Sequence, residues 1–494
     1  MTLYEPPYVL AVDIGSSSVK AGLFDSLARS VEGSEVAVAH HQRVASDGTS
    51  EEDALSILNA TETAIDSVLA KSDDLATKIV GVGFDCMAST VLGVDEQGEA
   101  ITPVYTYADT RSAVDVERLK HELNVPIIYD RTGVMQHTSY LPGRIRWIRR
   151  TQPDVADQIT RYVDISTFMF SKWFGRQNVK ASYCVSSWSG LLNRRDLEWD
   201  HGLLGRLGID ASNLPELAPW SEAETGLTDE YSKRWSALQD SPFFLAVGDG
   251  AAVNVGTGCV DQSKVALTVG TTGALRVLIE GPAPDVPTGL WAYHLGSTRT
   301  LLGGSFSEGG NVVQWALDNL KLPQIDELNA ELSKLNPASH GINVLPFIAG
   351  ERATGWSTSA SGVLEGIRVS TQPIEILQAM LESVAYRFAL VADLLLPGVK
   401  SGYHIIASGG AIQNSSWWLQ TMADVLSVPV GVSAEEQDTS RGTAILALNA
   451  LGVWTTLDDH PAQISDTFEP DETKADIYAD ARSRQADLYS RLLD

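Results

Sequence analysis

The sequence predicts an α/β protein built from two domains in tandem. Strand-like segments at 8–14, 78–84, 243–247, 265–269 and 403–407 alternate with helical patterns, the rhythm of an α/β fold. A strand, Gly/Ser turn and return strand at Tyr8–Phe24 reappear in like design at Val265–Val277. The 494 residues also exceed what one hydrophobic core usually serves. The domains are expected at 1–248 and 249–494, with the boundary at Gly248-Asp249-Gly250, where an apolar strand gives way to the small residues Ala251–Gly258.

Tyr8–Val12 is apolar throughout and reads as a buried strand, Gly15, Ser16, Ser17 and Ser18 make the turn, and Val19–Phe24 alternates as the return strand. Such a turn bares backbone N–H groups and hydroxyls to an anion such as phosphate. Asp13 at its mouth is placed to hold Mg²⁺ through water, since that ion keeps several waters and takes few carboxylates. Alone, the segment fits an ordinary polar hairpin equally well. The second copy, with Gly270, Thr271, Thr272 and Gly273 at its turn, favours phosphate binding.

Between the hairpins, Asp249 stands among glycines at the end of the strand Leu245–Val247. Either it turns the chain or, because glycines admit a substrate close to the backbone, it takes a proton from an attacking hydroxyl. Ser307–Trp315 opens a helix through Gly309 and Gly310, for packing or for ligand approach. Pro373 to about Leu395 carries apolar residues at helical spacing, with Pro373 at the first turn and Pro397 beyond the end. Tyr403–Ala407 is an apolar strand running into Gly409-Gly410 and a helix, a junction where a flat base can lie, with Asn414 as a polar partner. At least one of Trp417 and Trp418 is expected in the core, and 466–494 is read as a solvated helix without assigned function.

Composition narrows the partners. Against 36 Lys and Arg stand 63 Asp and Glu, a net charge of −27 that disfavours nucleic acid and anionic membranes. Cys86, Cys184 and Cys259 lack metal or disulfide spacing and read as buried thiols in a reducing cytoplasm. Neither a basic leader nor a membrane-length apolar run occurs. The motifs G-x-x-x-x-G-K-[ST], G-x-G-x-x-G after a strand, and H-E-x-x-H are also missing, which argues against P-loop, dinucleotide and zincin chemistry.

In this order, the two hairpins, the Gly-flanked Asp and the Gly-Gly crevice resemble the FGGY family of carbohydrate kinases, from Val9 to about Gly452. Gly362–Ile367 followed by Glu375–Glu382 fits that family's C-terminal signature at every constrained position. The N-terminal signature fits less closely, with Arg144 in place of Lys and Leu141 where a small residue or Pro is usual. The resemblance implies two actin-like (ribonuclease H-like) domains closing over ATP, Mg²⁺ and a small sugar or sugar acid, in a cytoplasmic monomer or homodimer. It further implies Asp249 as catalytic base and Asp13 as the Mg²⁺-side carboxylate. The turn Gly15–Ser18 with Lys20, and Gly270, Thr271 and Thr272, then hold phosphates, while Gly310, Gln314, Gly409, Gly410 and Asn414 frame the nucleotide.

For the acceptor, Thr106–Ser112 resembles T-W-A-D-x-R-S of gluconate kinases with Tyr107 for Trp, and Ala349–Trp356 resembles S-G-E-R-A-P-x-W with Thr354 for Pro. Asp85–Ser89 lacks the Arg-Glu pair of glycerol kinases, and Met87 is not followed by the His typical of xylulose kinases. Gluconate is therefore the expected acceptor, with Met87, Ala88, Tyr107, Asp109, Arg111, His137, Tyr140 and Asp249 as candidate contacts. Arg111 and Arg352 are equally candidates for an interdomain salt bridge. A xylulose- or ribulose-type kinase is the alternative acceptor class, and an actin-like nucleotide-binding module the alternative of another kind.

Overall fold

The computed structural model describes residues 4–493. In the first half, Tyr8–Ile14 (β1), Ser18–Phe24 (β2), Val36–Ala39 (β3), Ile79–Cys86 (β4), Ala223–Glu224 (β5), Phe243–Phe244 (β6) and Val247–Gly248 (β7) make one 7-stranded sheet. Its order is β5-β6-β4-β1-β2-β3, with β7 added to the end of β4. Every residue of β1 is buried because the strand is central and covered on both faces, which is why it reads as an unbroken apolar run. Helix α1 (Ala54–Lys71) packs beside β2 and β3, its N-terminus capped by Asp53 accepting from the Ser56 N–H. The single strand expected at 243–247 is split, because Leu245 donates to Glu222 O and Ala246 O accepts from Ser182 Oγ.

The second half repeats this wiring. Lys264–Val269 (β8), Gly273–Glu280 (β9), Trp291–His294 (β10), Arg299–Phe306 (β11), His404–Ser408 (β12), Val430–Ser433 (β13) and Ile464–Phe468 (β14) lie in the order β10-β11-β9-β8-β12-β13-β14. In each half an antiparallel hairpin (β1–β2, β8–β9) is flanked by a further antiparallel strand (β3, β11), and the first hairpin strand pairs in parallel with a later one (β4, β12). This is the duplicated actin-like, ribonuclease H-like architecture.

The halves meet through two helices. Helix α2 (Asp249–Gly256) follows the first sheet, while α3 (Gly310–Asn319), α4 (Pro373–Leu395) and α5 (Asp438–Ala450) come later in the chain. Residues α2 and α5 cross at glycines: a Cβ on Gly256 would lie 1.7 Å from Asp438 O, and one on Gly442 1.8 Å from Ala252 O. The small residues at 251–258 thus form a helix whose backbone touches its neighbour. Helix α5 continues onto the first sheet, where the Thr443 hydroxyl donates to Asp85 Oδ2 at 2.6 Å. A joint of this kind keeps the strand ends of both sheets facing one cleft.

Helix α4 has the bounds its periodicity predicts, and the Gln372 N–H donates to Glu375 Oε2 at its start. Trp418 is fully buried and donates to Leu381 O. All three cysteines are buried and free. The tail differs from the solvated helix expected. Residues Ile464–Phe468 form the edge strand β14, and Ala475–Leu493 (α6) docks a stripe of Tyr478, Ala481, Gln485 and Leu488. Its polar composition hides that stripe, because Gln485 is buried only by donating to Ser383 O and Val344 O. Among the described residues no helix is long and apolar enough to cross a membrane.

Candidate active site

The ends of β1, β4, β7, β8 and β12 all open toward the cleft, so residues far apart in sequence meet there. Asp249 is the first residue of α2, and its Oδ1 accepts from the Gly250 N–H at 2.7 Å. Burial pushes its carboxyl up, against the Gly250 N–H, Arg276, Arg352 and the Ala88 N–H, which pull it back. It borders a cavity of about 100 Å³ shared with Ala88, Tyr107, Tyr140, Arg276 and Arg352, and with Thr272 and Gly273 of the second turn. That space is too small for a nucleotide and suits a small acceptor.

Aromatic side chains fix the cavity wall. Tyr293 packs against Trp188 at 3.8 Å and Trp291 at 4.2 Å, and its hydroxyl meets that of Tyr140 at 2.7 Å. Trp356 packs on Tyr140 and on His137. Two lining residues hold left-handed backbone without being glycine, Ser89 (φ 58°) and Trp356 (φ 54°). Such strain persists only where surroundings enforce it. Here Ser89 Oγ donates to Trp188 O, and buried Arg144 donates to Ser89 O and Thr138 O, tying two wall segments together.

On the phosphate side, Asp13, the penultimate residue of β1, lies directly opposite Asp85 of β4. Burial raises the Asp13 carboxyl to about 6, against the attraction of Lys20. Asp85 lies deeper, and burial together with Asp13 holds it well above the ordinary range. Ser16, Ser17 and Lys20 are exposed at the first turn, which is closed by Gly15 N–H donating to Ser18 O. At the second, Gly270 O and Thr271 O accept from the N–H groups of Gly310 and Asn311 at the start of α3. A Cβ on Gly409 (φ 96°) would lie 2.5 Å from Val269 O, so only glycine fits there. By contrast, a Cβ on Gly270 or Gly410 would meet nothing within 4 Å, so both glycines border open space in the crevice. Gln314 and Asn414 are exposed at its rim, bonded to Asp318 and to Gly410 O. Bared turns, open glycines and the Asp13 carboxylate at the mouth of the first turn fit a nucleotide with Mg²⁺, which takes few protein ligands.

Several expected contacts lie elsewhere. Asp109 and Arg111 do not border the cavity. Arg111 donates to Asp109 and Glu51 and stacks 4.6 Å over Trp147, while Asp109 also accepts from the Ser50 N–H. The pair satisfies itself inside the first half, so Arg111 pairs with carboxylates of its own domain and borders neither that cavity nor the one adjoining it. Its neighbours Tyr107, Ala108 and Thr110 face the cleft instead. Met87 is buried in the first-half core, and only Ala88 reaches the cavity. His137 faces the adjoining cavity of about 260 Å³, beside Thr271 and Thr272, and burial lowers it to about 3, so it is neutral and carries no charge for an anion. Among the described residues Arg352 makes no ion pair. It donates to Phe306 O and lies 5.6 Å over the Tyr107 ring. Signature residue Glu382 is an internal tie, accepting from Ala338 N–H, His340, Gln378 and Tyr386.

Two contributors escaped sequence reading. Arg276 sits on β9 inside the acceptor cavity. His40 lies under the first turn, its Nδ1 2.9 Å from both Glu52 carboxylate oxygens and its Nε2 3.0 Å from Gly15 O. The ring thereby ties the Glu52 carboxyl group to the backbone of the turn and braces it. His40→Ala leaves Glu52 buried and unpaired, and a loss of about 3 kcal/mol in denaturant unfolding is expected, with a raised KM for ATP. An unchanged KM would show that the turn stands without this brace.

Comparison with known proteins agrees with this geometry. Residues 8–256 match the N-terminal domain of the FGGY family of carbohydrate kinases, and residues 265–451 its C-terminal domain. A gluconokinase of Bacillus subtilis (strain 168) is 27% identical over 484 residues, 95% of this chain and 93% of that protein. A glycerol kinase of Limosilactobacillus reuteri (strain DSM 20016) is 27% identical over 492 residues, 96% of each chain. The crystal structures of a gluconate kinase and of a ligand-bound xylulose kinase, both from Lactobacillus acidophilus, each superpose with a TM-score of 0.90 at 25% identity, covering 98% of both chains. Two domain matches in the order of the two sheets, spanning most of the length, make this chain a member of the FGGY family of carbohydrate kinases.

Proposed function

We propose that this kinase transfers the γ-phosphoryl group of ATP to a hydroxyl of gluconate, giving 6-phosphogluconate. The observation that carries the reading is Asp249, a half-buried carboxylate without an ion pair among the described residues, in one small cavity with the second Gly/Thr turn and two guanidinium groups. Cationic lining in a chain of net charge −27 favours an anionic acceptor. The gluconokinase and gluconate kinase relatives support the same choice.

Phosphoryl transfer asks for position and charge neutralisation more than for covalent help. Asp249 accepts the proton of the attacking hydroxyl, its other oxygen held by the Gly250 N–H. Tyr140, Trp188 and Tyr293 orient the acceptor and exclude water, which would otherwise take the phosphoryl group. With the Gly15 and Gly270 N–H groups closing the two turns, the hydroxyls and remaining N–H groups of Ser16–Ser18 and of Thr271–Thr272 donate to phosphate oxygens. Mg²⁺, held through water at Asp13, would supply neutralisation of the phosphate charge.

A panel of acceptors with ATP and Mg²⁺ tests the assignment. Turnover with gluconate at least tenfold above glycerol, xylulose and ribulose, by kcat/KM, is expected. ATP consumption with xylulose or ribulose but not gluconate would instead make the chain a ketopentose kinase, and consumption with none would leave a nucleotide-binding module.

A further inference from the structure

We infer that Arg276 is the residue that grips the acceptor's carboxylate, so that this kinase selects polyhydroxy acid anions over neutral polyols and ketoses of the same size. The inference rests on the kinase reading above and adds the group that decides acceptor class. Arg276 lies on β9, three residues beyond Gly273, and Ala274 precedes it on the same face of the strand. Ala274 lines the cavity too, and its short side chain leaves the space through which the guanidinium is reached.

The bonding of Arg276 is what sets it apart. Only 8% exposed, it has no carboxylate within 4.0 Å among the described residues, its Nε has no hydrogen-bond partner, and its one side-chain bond is a long 3.3 Å contact to Thr268 Oγ1. Arg387 and Arg144 also leave Nε without a partner, but Arg387 pairs with Glu351 at 2.5 Å and donates to Ala353 O, and Arg144 donates to two backbone carbonyls. A buried guanidinium without an anion is costly unless a ligand supplies one. Asp249 shares the cavity but forms no ion pair with Arg276, which leaves it free to take a proton.

Placement separates Arg276 from a phosphate-binding role. Arg352 borders both the acceptor cavity and the adjoining one lined by Thr271, Ser307 and Asn311, so it stands where the phosphoryl group must cross. Arg276 borders the acceptor cavity alone. A fixed donor fork facing a small, water-excluding space matches a carboxylate by two parallel N–H···O bonds.

The neutral isostere gluconamide isolates this contact. Titration calorimetry on the full-length protein with ADP and Mg²⁺ should show the wild type binding gluconate more tightly than gluconamide. In Arg276→Gln the gluconate affinity should fall by about 10- to 100-fold, the range of a charge-assisted hydrogen bond, while gluconamide and ADP affinities hold. Arg276→Lys, which keeps the charge without the fork, should fall between the two and serves if the Gln variant does not fold. Equal loss for gluconate and gluconamide, or no loss for either, would overturn the assignment while leaving gluconate as acceptor. A wild type that binds xylulose and neither gluconate nor gluconamide would overturn both.

Discussion

Asp249→Asn lowers kcat by about 10²- to 10⁴-fold, the range of a positioned general base, and leaves ATP binding intact. The amide keeps the bond from the Gly250 N–H through its oxygen but cannot take the acceptor's proton. A coupled ADP-release assay beside nucleotide titration reads both quantities, and turnover at the wild-type rate would refute the base assignment. Stability should move the other way. Burial raises the Asp249 carboxyl above its unfolded value, so protonation favours the folded state and ionisation opposes it. At pH 8 the Asn variant is therefore expected to melt higher than wild type, an advantage that vanishes below about pH 4, where the carboxyl is protonated folded or unfolded. For the same reason the acid limb of kcat/KM in the wild type should lie above the ordinary aspartate range. A limb at pH 4 or below would place the base elsewhere.

Asp13→Asn is expected to lower kcat by about 10²- to 10³-fold, as when one preorganised electrostatic group is lost from a transition state. Its signature should differ from that of Asp249→Asn. Asp13 stands at the phosphate turn, raised to about 6 by burial against Lys20, and a bound dication would draw its proton off. The variant should need several-fold more Mg²⁺ for half-maximal rate, and the wild type should need more Mg²⁺ as pH falls through 6. Mg²⁺ dependence unchanged in the variant would remove Asp13 from the metal side, whatever its effect on rate.

The parts of the site that could be read in sequence are those whose chemistry is local. Each Gly/Ser or Gly/Thr turn is defined by a few consecutive residues, and a strand ending in Gly-Asp-Gly must present its carboxylate at the strand's end. Helix Pro373–Leu395 was legible in sequence because its first-turn Pro, its spacing and the Pro beyond its end lie along one stretch. Charged residues in the acceptor segment misled for a physical reason. Asp109 and Arg111 have the chemistry of ligands, yet each satisfies the other, with Glu51 from sixty residues away completing the set. Tyr107, which by type belonged in a core, faces the cleft.

Sequence by itself determined the two-domain α/β fold, the repeated Gly/Ser and Gly/Thr turns and the positions of the two aspartates beside them, since turn chemistry and hydrophobic period act between neighbours in the chain. Only the tertiary structure decided that Arg276 enters the cavity with no carboxylate paired to it among the described residues, that His40 braces the first turn, and that the glycines of α2 and α5 hold the halves together. Those facts depend on what a side chain meets after the chain has closed on itself, and a guanidinium's need for an anion shows only when every nearby carboxylate has been placed.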